Sequence, residues 1–222
     1  MGCTLGRIAP TAMKKAIPYL MLALVLTMAG CKGKTAEEAY SLLPDTCHLQ
    51  NGDLVFRRGT GITSHAILAA DHGGRFSHIG IVVDSSGIAM VVHAVPGEPD
   101  YEGDPDRVKM EPAVQFFSTL NASLGEVCRP IDSVAAKKAA DTAIEYYHRK
   151  VLFDHQYDHT DTTRLYCTEL VMNCYQKAGI VLTGPPSHSF SLPGLNCTCW
   201  LPSDIYHSEY IIPVYSFNQP IQ

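Results

Sequence analysis

Two apolar runs held apart by a turn cluster constrain this 222-residue chain more than any other feature. Residues 76–83 read FSHIGIVV and residues 88–95 read IAMVVHAV, with Asp84-Ser-Ser-Gly87 between them. Runs this short and apolar, bounded by turn residues, are strands, and so brief a turn joins them as an antiparallel hairpin. The rest of the chain has to be built around that pair. A turn centred between residues 85 and 86 sets His78 opposite His93, so the two histidines are expected to face each other across the hairpin.

The flanking segments fit an α+β fold. GDLVFR (52–57) reads as a turn into a strand, and 63–70 as a short helix with Thr63 or Ser64 available as N-cap. Pro, Gly and acidic residues make 96–106 a loop. Val108–Glu111 reads as a brief strand, 112–119 as a helical turn, and Glu126–Pro130 as another strand. Apolar spacing through Val134, Ala135, Ala139, Ala143, Ile144 and Tyr147 predicts a helix over 132–149, capped by Asp132 or Ser133. Cys167 to Ala178 has helical spacing again and stops at Gly179. Residues 182–202 read as loop, and YIIPVY (210–215) as an edge strand broken by Pro213. No strand–helix–strand alternation argues for a parallel sheet.

The first thirty residues differ in character. Arg7, Lys14 and Lys15 precede an apolar run over 16–28, and Ala29-Gly30-Cys31 follows. The run is short for a spanning helix, and small residues before a cysteine form a lipobox, although Met28 stands where Leu is commoner. This predicts a lipoprotein-type signal peptide over 1–30, Cys31 as the lipidated N-terminus, a tether over 31–45 and one domain over 46–222. A plain anchor helix is the competing reading. Either way the body is expected outside the cytoplasm, in a bacterial cell envelope. A net charge of −5 without a basic cluster argues against nucleic acid as a partner. Eight cysteines at irregular spacing give no disulfide framework, and the pairing of Cys47, Cys128, Cys197 and Cys199 stays open.

Cys167 begins a predicted helix, where free N–H groups and the positive dipole end favour thiolate, so its pKa is expected to fall. Those N–H groups also suit an oxyanion. The competing reading is a buried structural cysteine, which is the better account of Cys174. A cysteine nucleophile needs a base and an orienting group. His78 and His93 supply the types, against the alternative of two core histidines.

Four segments together, GDLVFR, SHAI (64–67), FSHIGIV (76–82) and YCTELV (166–171), resemble the permuted papain-like amidases of the NlpC superfamily, in the YiiX/YaeF-like group. The resemblance spans Gly52 to about Tyr206. It implies a permuted papain-like fold, with a barrel-like antiparallel sheet packed against the helix that carries the cysteine. It implies Cys167 as nucleophile, His78 as base, and His93 at the third polar position, where the group often has glutamate; Glu98 is the fallback. Tyr166, Asp154 and Glu169 match residues around the family's substrate site. Glu169 reads equally as a carboxylate at a helix N-terminus and as a receptor for a substrate amino group. No cofactor and no metal is implied. The activity implied is amide or peptide hydrolysis through an acyl-enzyme, with cell-wall peptides as the substrate class for an exported enzyme.

Three other readings compete. A thioesterase or acyltransferase of the same fold would need an apolar groove, for which Phe190, Leu192, Leu195 and Trp200 are candidates. His155, Asp158, His159 and Asp161 supply metal-ligand types, but without helical ligand spacing. A binding module without turnover is the third.

Overall fold

The structure, a computed structural model, describes residues 39–192 and 195–218, with backbone alone for 191, 192, 195 and 196. The leader, Cys31 and residues 32–38 lie outside the described residues, as do the side chains of Leu192 and Leu195. The folded body takes up the chain at Ser41, which bridges to Ser118. Leu42 is buried, and its N–H donates to the Phe117 carbonyl at 2.8 Å. Packing thus begins ahead of residue 46, because this leucine adds to an apolar cluster with Phe117.

In chain order the elements are β1 (Leu54–Gly59), α1 (Ile62–Ala70), β2 (His78–Ser85), β3 (Ile88–Val95), β4 (Arg107–Pro112), α2 (Ala113–Phe116), β5 (Ala122–Pro130), α3 (Ser133–His148), β6 (Leu152–Phe153), β7 (Arg164–Leu165), α4 (Cys167–Lys177), β8 (His188–Leu192), β9 (Leu195–Cys199), α5 (Pro202–Tyr206) and β10 (Ile211–Asn218). Eight strands form one curled, half-barrel sheet in the order β10-β5-β1-β2-β3-β4-β6-β7. Every pairing in it is antiparallel except β6 with β7. The α+β class and the antiparallel sheet are as the sequence predicts.

The β2–β3 hairpin forms, with a different register. Ser85 pairs with Ile88 and Ile81 with Val92, so the turn is Ser86-Gly87, and both have positive φ (57° and 85°). That is the backbone a two-residue hairpin turn requires, and glycine adopts it without a Cβ clash. The pairing is displaced by two residues from the expected one. Continued along the strands, it sets Gly80 opposite His93 and leaves His78 on the diagonal. An even displacement preserves the face, so both histidines still share one side.

The two faces of the sheet bury separate cores. Leu54, Phe56, Ile79, Ile81, Val92 and Val108 pack with Leu170, Val171 and Cys174 of α4 and with the alanines of α3. Small side chains at Ala135, Ala136, Ala139, Ala140 and Ala143 let α3 lie close. Asp132 caps it, its carboxylate accepting from Val134 N–H at 2.9 Å and Ala135 N–H at 3.0 Å. The opposite face buries Val55, Val82, Val91 and Val127 against Phe116 and Phe117.

Two local expectations are corrected. The N-cap of α1 is Gly61, without a side-chain cap, rather than Thr63 or Ser64, because the helix starts at Ile62 and both lie inside it. Residues 188–199, read as loop, form the β8–β9 hairpin, from His188 with Cys199 to Leu192 with Leu195. Pro213 does lie in an edge strand: β10 borders the sheet, and its register shifts between Pro213 and Tyr215.

Candidate active site

Alternation along four neighbouring strands lines up a row of polar side chains on the face away from α3 and α4. Val55 and Val82 face that side, so Arg57 and His78 do too, and the two are direct cross-strand partners. Val91 carries His93 to the same side, while Val108 points the other way and leaves Lys109 and Glu111 facing the row. All five polar side chains are buried. Phe116 closes the row from α2. Its ring centre lies 5.7 Å from His78 and 5.2 Å from His93, with the Arg57 guanidinium 4.6 Å above it.

The contacts form a chain. His78 Nε2 meets His93 Nδ1 at 2.8 Å, and His93 Nε2 lies 3.0 Å from Glu111 Oε1. Glu111 is also 3.9 Å from Arg57 Nη1. Arg57 donates to the Phe116 carbonyl at 3.0 Å and pairs with Glu98. Lys109 donates to the Glu98 carbonyl at 2.9 Å. Gly80 makes the histidine contact possible: a Cβ there would stand 2.5 Å from Val91 Cγ1 and 3.2 Å from His93 Cβ. Burial, with the positive charge of Arg57, holds both imidazoles well below their ordinary pKa, so both are neutral near pH 7. Burial raises the Glu111 carboxyl, while Arg57 and Lys109 pull it down.

Cys167 enters from α4. It opens the helix after Tyr166, and the backbone N–H groups of Ile79, Thr168 and Cys167 lie near enough to its sulfur to favour the thiolate. Cys167 and His78 line one cavity of about 330 Å³, together with Arg57, Ser64, Ser77 and Glu98. The expected fall in the thiol pKa is corrected. Burial pushes it up to about 11, against the opposing pull of those N–H groups and Arg57. Desolvation wins because the sulfur is enclosed while the helix end supplies only partial charges.

The other sequence candidates occupy distinct places. The Tyr166 hydroxyl accepts from Trp200 N–H at 3.2 Å, and its ring borders a second cavity beside Cys167. The Asp154 carboxylate accepts from the N–H groups of Gln156 (2.8 Å) and Asp158 (2.6 Å). It thereby shapes the turn that carries Tyr157, whose ring lies 5.3 Å from that of Tyr166. Glu169 is buried in the first turn of α4, and burial raises it to about 8 against the opposing pull of the Tyr166 N–H. Neither Asp154 nor Glu169 lines the two cavities. Glu98, the fallback third member, pairs with Arg57, while His93 contacts His78.

Arg57, Glu111 and Phe116 are the residues the sequence reading missed. Arg57 ends the GDLVFR run, and Glu111 alternates with Val108 and Met110. That alternation marks a brief strand but gives no partner for it, and only the structure pairs β4 with the His93 strand. The six described cysteines past the leader are all free thiols.

No family model and no curated protein matches the chain. Among solved structures it is similar to one described as the crystal structure of metalloprotein yiiX from Escherichia coli O157:H7, DUF1105. Identity is 23%, the TM-score is 0.61, and the match covers 77% of this chain and 98% of that one. At this identity the likeness is one of fold, and the chain has a YiiX-like fold.

Proposed function

We propose that this YiiX-like chain is a cysteine hydrolase that cleaves an acyl–nitrogen bond through a thioester on Cys167, in the manner of permuted papain-like enzymes. The observation that carries the reading is the buried chain Glu111–His93–His78, ending in the cavity that Cys167 lines. Such a chain fixes a tautomer. The Glu111 carboxyl, 3.0 Å from His93 Nε2, draws the imidazole proton to that nitrogen by charge rather than by an aligned hydrogen bond, which leaves Nδ1 as a lone pair. His78 then donates from Nε2, which leaves its own Nδ1 as the free base.

The chemistry follows from the resting state. Thiol and imidazole are both neutral, since burial raises one and lowers the other. The proton therefore moves during attack rather than before it. As the sulfur bonds to the acyl carbon, its proton passes to His78, and the imidazolium formed is stabilised through His93 and Glu111. The Cys167 and Thr168 N–H groups at the start of α4 lie beside the sulfur and suit the developing oxyanion. His78 gives its proton to the departing amine, leaving the thioester. Water then attacks with His78 as base, which releases the acid and restores the thiol.

The structural neighbour is described as a metalloprotein. The donors among the described residues do not fit a metal site. His78 Nε2 and His93 Nδ1 are committed to each other, and among the described residues no three His, Cys, Asp or Glu side chains gather as ligands. In the 155–161 loop, His155 pairs with Asp106 at 3.2 Å and His159 Nδ1 meets the Thr198 carbonyl at 3.0 Å. Asp158 and Asp161 accept from Thr160 and Thr163.

The leader read from the sequence makes the cell envelope the proposed location, with a lipid anchor at Cys31 and cell-wall amides within reach. The reading is tested by acyl trapping. Protein treated with p-nitrophenyl butyrate and quenched in acid should gain one butyryl mass on Cys167, and Cys167→Ala should gain none. Undiminished turnover in Cys167→Ala would overturn it.

A further inference from the structure

We propose that Cys197, Cys199 and Cys167 form a thiol relay: a small-molecule disulfide reacts at Cys197, the oxidation passes through Cys199, and a Cys167–Cys199 disulfide closes the site. Formation of that bond stands apart from the cysteine-hydrolase reading, whereas its effect on turnover rests on it.

Three of the six described thiols border one cavity of about 330 Å³ at the start of α4. Cys167 comes from the helix. Cys197 and Cys199 come from β9, where residues two apart point to the same side. The end of β9 is tied to α4 around the nucleophile. Tyr166 Oη accepts from Trp200 N–H at 3.2 Å, and Thr168 Oγ1 donates to the Trp200 carbonyl at 2.9 Å. These bonds hold the residues before and after Cys167 against the residue that follows Cys199. Charge on either Cys197 or Cys167 would raise the Cys199 thiol further, so the three sulfurs share one electrostatic neighbourhood. Among the described residues they do not gather as metal ligands, which leaves pairwise sulfur chemistry.

Exposure sets the order of the relay. Cys199 is 2% exposed and Cys167 7%, whereas Cys197 is half-buried and meets a small disulfide first. The Cys197 thiolate attacks one sulfur of that reagent, which forms a mixed disulfide and releases one small thiol. Cys199 then attacks the Cys197 sulfur, which forms Cys197–Cys199 and releases the second small thiol. In an extended strand the Cα atoms of these two residues lie about 6.6 Å apart, near the upper end of the roughly 4.4–6.8 Å that a disulfide accepts. A strained disulfide is the labile kind. Cys167 attacks the Cys199 sulfur, its proton passes to the departing Cys197, and Cys167–Cys199 remains. In total, two electrons and two protons leave the Cys167 and Cys199 thiols and convert the reagent into two thiols. A sulfur held in this bond cannot attack an acyl carbon, and a small thiol reverses each step. The cell envelope proposed above is an oxidising setting in which such a bond persists.

The test treats the full chain with excess 2-hydroxyethyl disulfide, a small neutral reagent, at about pH 8.5, where thiolate is more abundant. Samples are quenched in acid, free thiols are blocked with N-ethylmaleimide, and the disulfides are mapped by non-reducing peptide mass spectrometry. Turnover of p-nitrophenyl butyrate is read in parallel. The expected product is a Cys167–Cys199 cross-link, with turnover falling at least about ten-fold in step and returning on addition of dithiothreitol. Cys199→Ala should leave Cys167 uncrosslinked and keep its own starting turnover. Cys197→Ser should form the same cross-link at least about ten-fold more slowly. The map of the parent chain decides the matter even if a variant folds poorly. Closure of Cys197–Cys199 with Cys167 left free would overturn the proposal, as would the small thiol attached to Cys167 itself or an undiminished rate in Cys197→Ser. A chain that forms the cross-link yet turns over the ester at its full rate would keep the bond and sink Cys167 as the nucleophile.

Discussion

The β2–β3 hairpin carries two faces made from alternate residues of the same strands. Ile79, Ile81, Val83, Val92 and Ala94 face α3 and α4 and are buried in an apolar core. His78 and His93 face the other way and join Arg57, Lys109 and Glu111, which are also buried. The first face is accounted for by the hydrophobic effect, at roughly 25 cal/mol per Å² removed from water. The second is not. Burying charged and titratable groups costs free energy unless their partners are good, and buried ion pairs are weak contributors to stability. His93 Nε2 and both Glu111 oxygens sit close together yet lack a well-aligned hydrogen bond. One face thus holds the fold together, and the other carries a cost that makes sense as chemistry.

Alkylation should separate the faces most widely. Because burial holds the Cys167 thiol near 11, its reaction with iodoacetamide should rise about ten-fold per pH unit between pH 7 and pH 10. A rate already flat at pH 7 would mean a preformed thiolate and break the account of a neutral pair. On the polar face, His78→Ala should lower kcat/KM by about 10²–10⁴. Its unfolding temperature should change little, since the residue lost is a desolvated one. On the apolar face, Ile81→Ala should cost about 2–5 kcal/mol in denaturant unfolding, while the remaining folded molecules keep their turnover. If both variants lose stability equally, the two faces are not functionally distinct. Glu111→Gln keeps the shape of its site but removes the charge that stabilises the imidazolium. It should lower kcat about 10–100-fold with KM nearly unchanged.

The smallest effect concerns a buried carboxyl outside the row. Glu169 is raised to about 8 from an ordinary 4.5. Its neutral form favours the fold, so its contribution is full below about pH 4.5 and is lost as pH rises through about 8. Glu169→Gln should therefore unfold at a higher temperature than the parent at pH 9, with the difference vanishing near pH 5. A constant difference across that range would show that the carboxyl is ionised in the folded protein.

Much of this site was legible before any coordinates. FSHIGIVV and IAMVVHAV could only be paired strands, and a cysteine at the first position of a helical pattern had to stand at a helix start. The register was not legible, because Asp84-Ser-Ser-Gly87 admits more than one two-residue turn and only backbone pairing chose Ser86-Gly87. Nor was Glu111, whose segment reads only as a brief strand. Its role depends on β4 lying beside β3, a pairing across a long loop that no local pattern encodes.

The sequence by itself determined which residues alternate on the central hairpin strands, where α3 and α4 start and stop, and which thiol and imidazoles were available. These are set by nearest-neighbour sterics, caps and periodicity, all of which act over a few residues. Only the tertiary structure decided the charge state of Cys167. Local logic gave the helix N-terminus the final say, but enclosure by sheet and helices raised the thiol instead, because desolvation depends on everything that surrounds an atom rather than on its neighbours in the chain.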